Sequence, residues 1–329
     1  MKAVQIDEFG GPEVLKVEEV KEPEPNENEV KVKLYAAGVN PADTYTISGN
    51  YGYNVPDLPY IPGNDGAGII EKVGPNVKNV AVGDRVFLSS FGANRHTGTY
   101  AEKLVIDADR VFPLSYKMTF NEGAALGIPA FTAYHALFNK AGIKAGEFVM
   151  VHGASGAVGS LAVQMAKVIG AIVIGTSSTQ HGRDSILDMG ADYAIPHVTE
   201  ENKDELLKIT VEKGPDVIIE FLANENLETD TKVAADNGRI VIVGSRDVIE
   251  ITPRNLMTNE AIVTGMAFTN PSTEDLHEAH HGISAFVENG TLKPMIGDVF
   301  SLNEASQAHE NVMETSGNGR TLLEIRPEE

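Results

Sequence analysis

Short apolar runs broken by turn residues fill the first third of the chain. Lys2–Ile6, Glu29–Tyr35, Gly68–Val73, Arg85–Leu88 and Thr99–Val105 read as strands. Between them lie Gly10-Gly11-Pro12, Pro23–Asn28, Gly49–Gly52, Gly74-Pro75-Asn76 and Gly92–Gly98. Many short strands punctuated by Gly and Pro predict a barrel-like β domain. The acidic, proline-containing stretch Glu18–Glu29 reads as a solvated surface turn.

After Asn121 the period changes. Glu122–Phe138 has a helical pattern, interrupted near Gly127-Ile128-Pro129. Apolar strands and amphipathic helices then alternate: Phe148–His152, Ala157–Ile169, Ile172–Thr176, Arg183–Met189, Tyr193–Ile195 and Lys203–Val211. Three more apolar strands follow at Val217–Phe221, Ile240–Val243 and Ile262–Gly265. This βαβα order predicts a doubly wound parallel sheet covered on both faces. Near Thr269 the alternation stops. A helix around Asp275–Asn289 and short strands at Asp298–Leu302 and Thr321–Ile325 complete the pattern, and this tail is free to return to the first domain. The fold class is α/β, a β domain followed after about residue 123 by a doubly wound parallel-sheet domain.

Composition narrows the function. The 329 residues are too many for one ordinary core. No apolar run reaches the roughly 18 residues of a membrane span, and the first residues carry no long apolar signal segment. There is no cysteine, so disulfides, thiolate nucleophiles and Cys-ligated metals are excluded. A cytoplasmic location fits. The net charge of −21 argues against nucleic acid or anionic membranes as partners.

The strongest chemical signal is Val149-Met150-Val151-His152-Gly153-Ala154-Ser155-Gly156-Ala157-Val158-Gly159. A buried strand runs into glycines and then a helix. Glycines at 153, 156 and 159 permit a tight turn, close approach to a pyrophosphate, and close helix–strand packing. The helix N-terminus then offers free N–H groups to phosphate. The next strand ends in Thr176-Ser177-Ser178-Thr179, where an NAD site usually carries a carboxylate for the ribose 2′-hydroxyl. Hydroxyls there, with Arg183 close behind, suit a 2′-phosphate. The cofactor expectation is therefore NADP(H), although Arg183 also reads as a surface cation of its own helix.

Several segments together resemble the zinc-free, zeta-crystallin-like quinone oxidoreductase branch of the medium-chain dehydrogenase/reductase superfamily. They include Glu8-Phe9-Gly10-Gly11-Pro12, Gly38-Val39-Asn40-Pro41, Gly83-Asp84-Arg85-Val86, Gly98–Glu102, His152–Gly159 and Leu222-Ala223-Asn224. The resemblance spans essentially the whole chain and implies a GroES-like β-barrel catalytic domain over 1–123, completed by 270–329, with an inserted Rossmann dinucleotide-binding domain over 124–269. Zinc alcohol dehydrogenases of that superfamily carry Cys where Asn40 stands and His where Asn64 stands, and they have a four-Cys lobe absent here. Zinc prefers thiolate, imidazole or carboxylate ligands, so no metal is expected. The resemblance implies cofactor contacts at Tyr45, Thr132, Ser155, Gly156, Ala157, Val158, Ser178, His197, Asn226, Val243, Gly244, Ser245, Arg246, Met266, Ala267 and Phe268. It also places Arg320 near a 2′-phosphate.

A quinone needs little help to accept hydride, because a hydroquinone anion is a far weaker base than an alkoxide. Positioning then matters more than a Lewis acid. Asn40 and Tyr45 are the candidate hydrogen-bond donors to the developing oxyanion, with Tyr51 a weaker one. Each also has a plain reading, Asn40 as a turn residue and Tyr45 as a packing aromatic. His152 reads as structural, Asp65 as a group that satisfies its own turn, and His277, His280 and His281 as a solvated helix surface. The leading function is NADPH-dependent, zinc-independent quinone reduction by hydride transfer, or by the single-electron steps that the resemblance allows. Reduction of activated C=C bonds in enals or enones is the alternative, and RNA binding or a crystallin-like structural role is the second. The resemblance suggests a homodimer or homotetramer, with edge-strand pairing near Ile262–Phe268.

Overall fold

The computed structural model describes residues 1–49, 55–90, 97–267, 272–313 and 319–328. Contacts divide the chain into two compact units, Met1–Pro129 with Pro294–Glu329, and Ala130–Lys293. The sequence boundaries after 123 and 269 therefore shift. The helix Thr273–Glu288 goes with the second unit because its apolar face finds partners there. Phe286 packs on Phe138 with ring centroids 6.2 Å apart. Just beyond that helix, the Gln164 amide exchanges hydrogen bonds with the Lys293 backbone at 2.9 and 2.8 Å.

In the first unit a sheet runs in the order Ile296–Ser301, Arg320–Glu324, Glu29–Gly38, Asp65–Val73, Arg85–Ser89, Val111–Pro113. The long strand Glu29–Gly38 organises it. One side pairs antiparallel with Asp65–Val73 along its whole length. The other side is shared: Lys103–Asp107 covers Glu29–Lys33, and Leu322–Glu324 covers Ala36–Gly38. The helix Pro41–Ile47 follows this strand at once, with Pro41 at its first position and Asn40 and Asp43 forming a capping box. The N-terminal strand and the C-terminal helix Ala305–Met313 share one core of Val4, Ala37, Val39, Tyr100, Leu302, Ala305, Ala308 and Leu323. The sequence pattern missed the helices Pro41–Ile47 and Ala305–Met313, which are only seven and nine residues long.

The second unit is a six-stranded parallel sheet ordered Tyr193–Ile195, Ile172–Thr176, Phe148–Val151, Val217–Glu220, Arg239–Ile242, Ile262–Gly265. Its four inner strands are nearly continuous apolar runs, as burial on both faces demands. The chain reverses direction across the sheet between Phe148–Val151 and Val217–Glu220. Ligands of such sheets bind beyond the strand C-termini at that point.

Candidate functional site

The strand Phe148–Val151 leads through His152 into the glycine turn, and the helix Ala157–Ile169 starts with Gly156 as its N-cap. Gly153 has φ +51, a left-handed conformation that favours glycine. A Cβ on Gly159 would lie 2.5 Å from the Gly153 carbonyl and 2.7 Å from the Ala154 Cα. Glycine there lets the helix sit directly against the turn. The first-turn N–H groups of that helix have no intrahelical partners, which suits a pyrophosphate.

Most of the residues expected to contact the cofactor sit beyond strand C-termini of this one sheet. Ser155, Gly156, Ala157 and Val158 follow the first strand; Ser178 and Arg183 follow the second; His197 follows the third. Asn226 follows Val217–Glu220, Val243–Arg246 follow Arg239–Ile242, and Met266 and Ala267 follow Ile262–Gly265. Phe268, like Tyr51, lies outside the described residues. Thr132 is buried in the helix Phe120–Tyr134.

Arg183 folds back over the turn after Thr176. Its guanidinium donates to the carbonyls of Ser177 (2.9 Å) and Ser178 (3.3 Å) and to Gln180 (3.0 Å), while Thr179 caps the helix that carries it. A cation is thus fixed on a neutral, hydroxyl-bearing turn. The loop Val243–Arg246 is held by backbone bonds from Val243 and Gly244 to the Glu220 carbonyl and by the Arg246 N–H to the Asn224 side chain.

Beneath the glycine turn lies a buried cluster that sequence reasoning did not assemble. His152 Nε2 meets Asp230 Oδ1 at 2.9 Å and Glu220 Oε2 at 3.3 Å, all fully buried. Glu220 Oε1 accepts from the Leu222 N–H and from Asn226 Nδ2 at 3.2 Å. Burial alone would pull the His152 pKa down; the Asp230 and Glu220 carboxylates more than reverse this and raise it to about 9. Burial raises Glu220 to about 7, opposed by His152. The three groups have the residue types of a metal site, with ligand atoms within 4.8 Å of one another. The 2.9 Å contact is a charge-assisted hydrogen bond. The signal in the sequence was Glu220, a charge ending the otherwise apolar strand Val217-Ile218-Ile219.

The first unit buries a second polar network. Asp65 accepts from Arg320 (2.7 Å), Asn40 (3.0 Å), Ser89 (3.0 Å) and the Ile128 N–H (2.9 Å). Asp43 accepts from Asn64 (2.6 Å), the Asn40 N–H (2.8 Å) and Tyr100 (3.1 Å), and Tyr100 meets His309 at 3.1 Å. Burial pushes both carboxyls up, and Arg320 pulls them back. Two glycines make the room. A Cβ on Gly38 would lie 2.4 Å from the Arg320 guanidinium, and one on Gly127 would lie 2.2 Å from Asp65. Gly127 is also the non-helical residue in its helix, which turns the Ile128 N–H towards Asp65.

This network corrects two expectations. Asn40 donates its amide protons to Asp65 and, at 3.4 Å, to Asp43, and its oxygen accepts from Arg320 at 2.8 Å. With both protons committed and the side chain buried, Asn40 has no donor left for an oxyanion. Arg320 is likewise buried, bonded to Asp65 and Asn40, and so cannot serve a 2′-phosphate. Asp65 satisfies distant partners rather than its own turn. His280 also departs from the solvated reading: it is half-buried, meets the Ser284 hydroxyl at 3.0 Å and is pushed down to about 4 by burial. His277 and His281 are exposed. Tyr45 is half-buried in the helix Pro41–Ile47.

Comparison with known proteins agrees with this geometry. The alcohol dehydrogenase GroES-like domain family matches residues 26–116, and the zinc-binding dehydrogenase family matches 157–285. Human quinone oxidoreductase is 43% identical over 325 residues, covering 98% of this chain and 97% of that protein. The chain belongs to the quinone oxidoreductase family. It is thus a medium-chain dehydrogenase/reductase, and Asn40 and Asn64, where zinc-dependent members carry ligands, put it in the zinc-free branch. Among solved structures, Escherichia coli quinone oxidoreductase complexed with NADPH superposes with a TM-score of 0.86 at 30% identity, covering 99% of this chain and all of that one. A protein described as an NAD-dependent alcohol dehydrogenase superposes with a TM-score of 0.90 at 30% identity, with 99% and 100% coverage. The shared fold therefore serves more than one cofactor and substrate, and the site must decide between them.

Proposed function

We propose that this oxidoreductase reduces quinones with NADPH, without zinc. The observation that carries the reading is the turn after Ile172–Thr176, which has no carboxylate and holds Arg183 over Ser177 and Ser178. A carboxylate there would repel a 2′-phosphate; a fixed guanidinium attracts one. The glycine turn suits the pyrophosphate, since a Cβ at 159 would fill the space of the backbone it packs on. Ser155–Val158 and the N-terminus of their helix would hold the pyrophosphate, and Arg183 with Ser178 the 2′-phosphate.

When bound, the reduced nicotinamide supplies the hydride. The chain's own residues bind the dinucleotide and position the acceptor. Tyr45 is the remaining candidate to donate a hydrogen bond to the quinone oxygen as negative charge develops there. Asn40 acts indirectly, as the N-cap of the helix that carries Tyr45. The substrate is a small molecule. No helix among the described residues is long and apolar enough to cross a membrane, and a cytoplasmic location remains our reading.

The deciding experiment follows NADPH and NADH oxidation by nicotinamide absorbance against ortho- and para-quinones, enals and enones. Turnover of quinones with a clear preference for NADPH supports the reading. Turnover confined to enals or enones, or a preference for NADH, overturns it. We also infer self-association through the strand Ile262–Gly265. It ends the six-stranded sheet, and Ile262 is 57% exposed. Light scattering that returned a monomer mass at micromolar concentration would refute this.

A further inference from the structure

Thr176 ends the strand Ile172–Thr176, and His152 and His197 follow the neighbouring parallel strands on either side. The Ser177 N–H donates to the Ile195 carbonyl at 3.1 Å, which ties these strand ends together. The buried Thr176 hydroxyl meets three groups there. The Gly153 N–H donates to it at 3.3 Å, His152 Nδ1 lies at 3.5 Å, and His197 Nδ1 lies at 2.9 Å.

A hydroxyl has one proton and two lone pairs. His152 Nε2 faces two carboxylates, so it carries a proton. The charge of those carboxylates also keeps the proton on Nδ1, which then points at Thr176. The Gly153 and His152 N–H groups fill both lone pairs. The single Thr176 proton is left for His197 Nδ1. His197 must then carry its own proton on Nε2. Burial comes first among the causes that lower the His197 pKa, followed by the nearby charges of His152 and Arg183. The Asn202 side chain, bonded to the His197 carbonyl at 2.9 Å, brings no charge. His197 is half-buried beside the Ser177–Arg183 turn.

We propose that Asp230, His152 and Thr176 form a directional hydrogen-bond relay that fixes His197 as a neutral Nε2–H donor at the ribose end of the dinucleotide site. The direction matters for selectivity, a consequence that rests on the NADPH reading. A phosphate oxygen only accepts hydrogen bonds, whereas a ribose hydroxyl can give or take one. A donor at His197 favours the 2′-phosphate; the reversed relay would present a lone pair and oppose it. Glu220 supports the relay as the second carboxylate facing His152. His197 is thus a specificity determinant, while Thr176, His152 and Asp230 are positioning residues.

The test begins with histidine nitrogen NMR on the intact, cofactor-free protein near neutral pH, with His197 assigned from His197→Asn. The relay requires a bare Nδ1 and protonated Nε2 on His197, and both nitrogens protonated on His152. A protonated Nδ1 on His197 overturns it, whichever cofactor binds. The second step measures NADPH and NADH affinity in Thr176→Val and Thr176→Ser. Loss of one hydrogen bond should weaken NADPH about fivefold in Thr176→Val with NADH changed less than about twofold, and Thr176→Ser should restore it. An equal loss for both cofactors, or none, overturns the selectivity role. If Thr176→Val fails to fold, the wild-type histidine signals and Thr176→Ser still decide. Failure to bind either cofactor would refute the dinucleotide reading and leave the relay to the NMR result.

Discussion

Each unit buries a charged network, and the two are stabilised in opposite ways. In the first, Asp65 and Asp43 are matched by the Arg320 guanidinium and by neutral donors from Asn40, Asn64, Ser89 and Tyr100. Arginine stays charged at any working pH. In the second, Asp230 and Glu220 are matched by His152, whose charge depends on protons. The first network is a permanent structural charge pair. The second can be switched off, and it lies under the cofactor turn. The comparison teaches that a buried charge is built from arginine where only shape is needed and from histidine where hydrogen-bond direction matters.

The sharpest way to break the comparison is Arg320→Ala. It would leave Asp65 buried and uncompensated, and urea unfolding should show a loss of about 3–5 kcal/mol. A loss under about 1 kcal/mol would mean that the neutral donors suffice. The next effect is one of pH. His152 is raised from 6.5 to about 9 on folding. Its stabilisation is complete below pH 6.5 and disappears as pH rises through about 9. Glu220, raised to about 7, changes in the same direction over a lower range. Hydrogen exchange of the strands Phe148–Val151 and Val217–Glu220, corrected for the intrinsic rate, should therefore accelerate between pH 6.5 and 9.5, by an amount on the order of 3 kcal/mol or less. The strand Glu29–Gly38 should show no matching change, and parallel behaviour of the two units would erase the distinction. The smallest effect separates Asn40 from Tyr45. Asn40→Ala should cost about 1–3 kcal/mol of stability. Tyr45→Phe should keep stability within about 0.5 kcal/mol but lower kcat/KM for a quinone at least tenfold. Unchanged kcat/KM in Tyr45→Phe would remove the last candidate donor.

The fold was legible because its signals are local. Gly153, Gly156 and Gly159 sit between an apolar strand and an amphipathic helix, and the alternation to Ile262–Gly265 repeats the same period. The nearness of Arg183 to Thr176–Thr179 was legible for the same reason, since Arg183 stands only four positions after Thr179 in the sequence. The buried networks were not. Arg320 meets Asn40 and Asp65 across most of the chain, and nothing near Arg320 distinguishes a core guanidinium from one that binds phosphate. Asn40 misled because its residue type fits a donor, and only the geometry shows that both protons are taken. Glu220 and Asp230 each left a faint trace, a charge at the end of an apolar strand or within a helix, but their shared partner His152 was masked by the glycine motif beside it. The C-terminal boundary moved for a similar reason: the partners of the helix Thr273–Glu288 are Phe138 and Tyr134, far upstream.

The pairing of Leu322–Glu324 with Ala36–Gly38 carries a consequence for the order in which the molecule is made. On the ribosome, the whole of 130–293 emerges before that final strand. The later unit in the sequence is therefore the first that can finish folding. Until the last strand arrives, the upper edge of Glu29–Gly38 is an open template, and Asp65 waits without its cation. Translation thus leaves the first unit unfinished after the second is complete, and the nascent chain must keep that edge from other partners until Arg320 closes it.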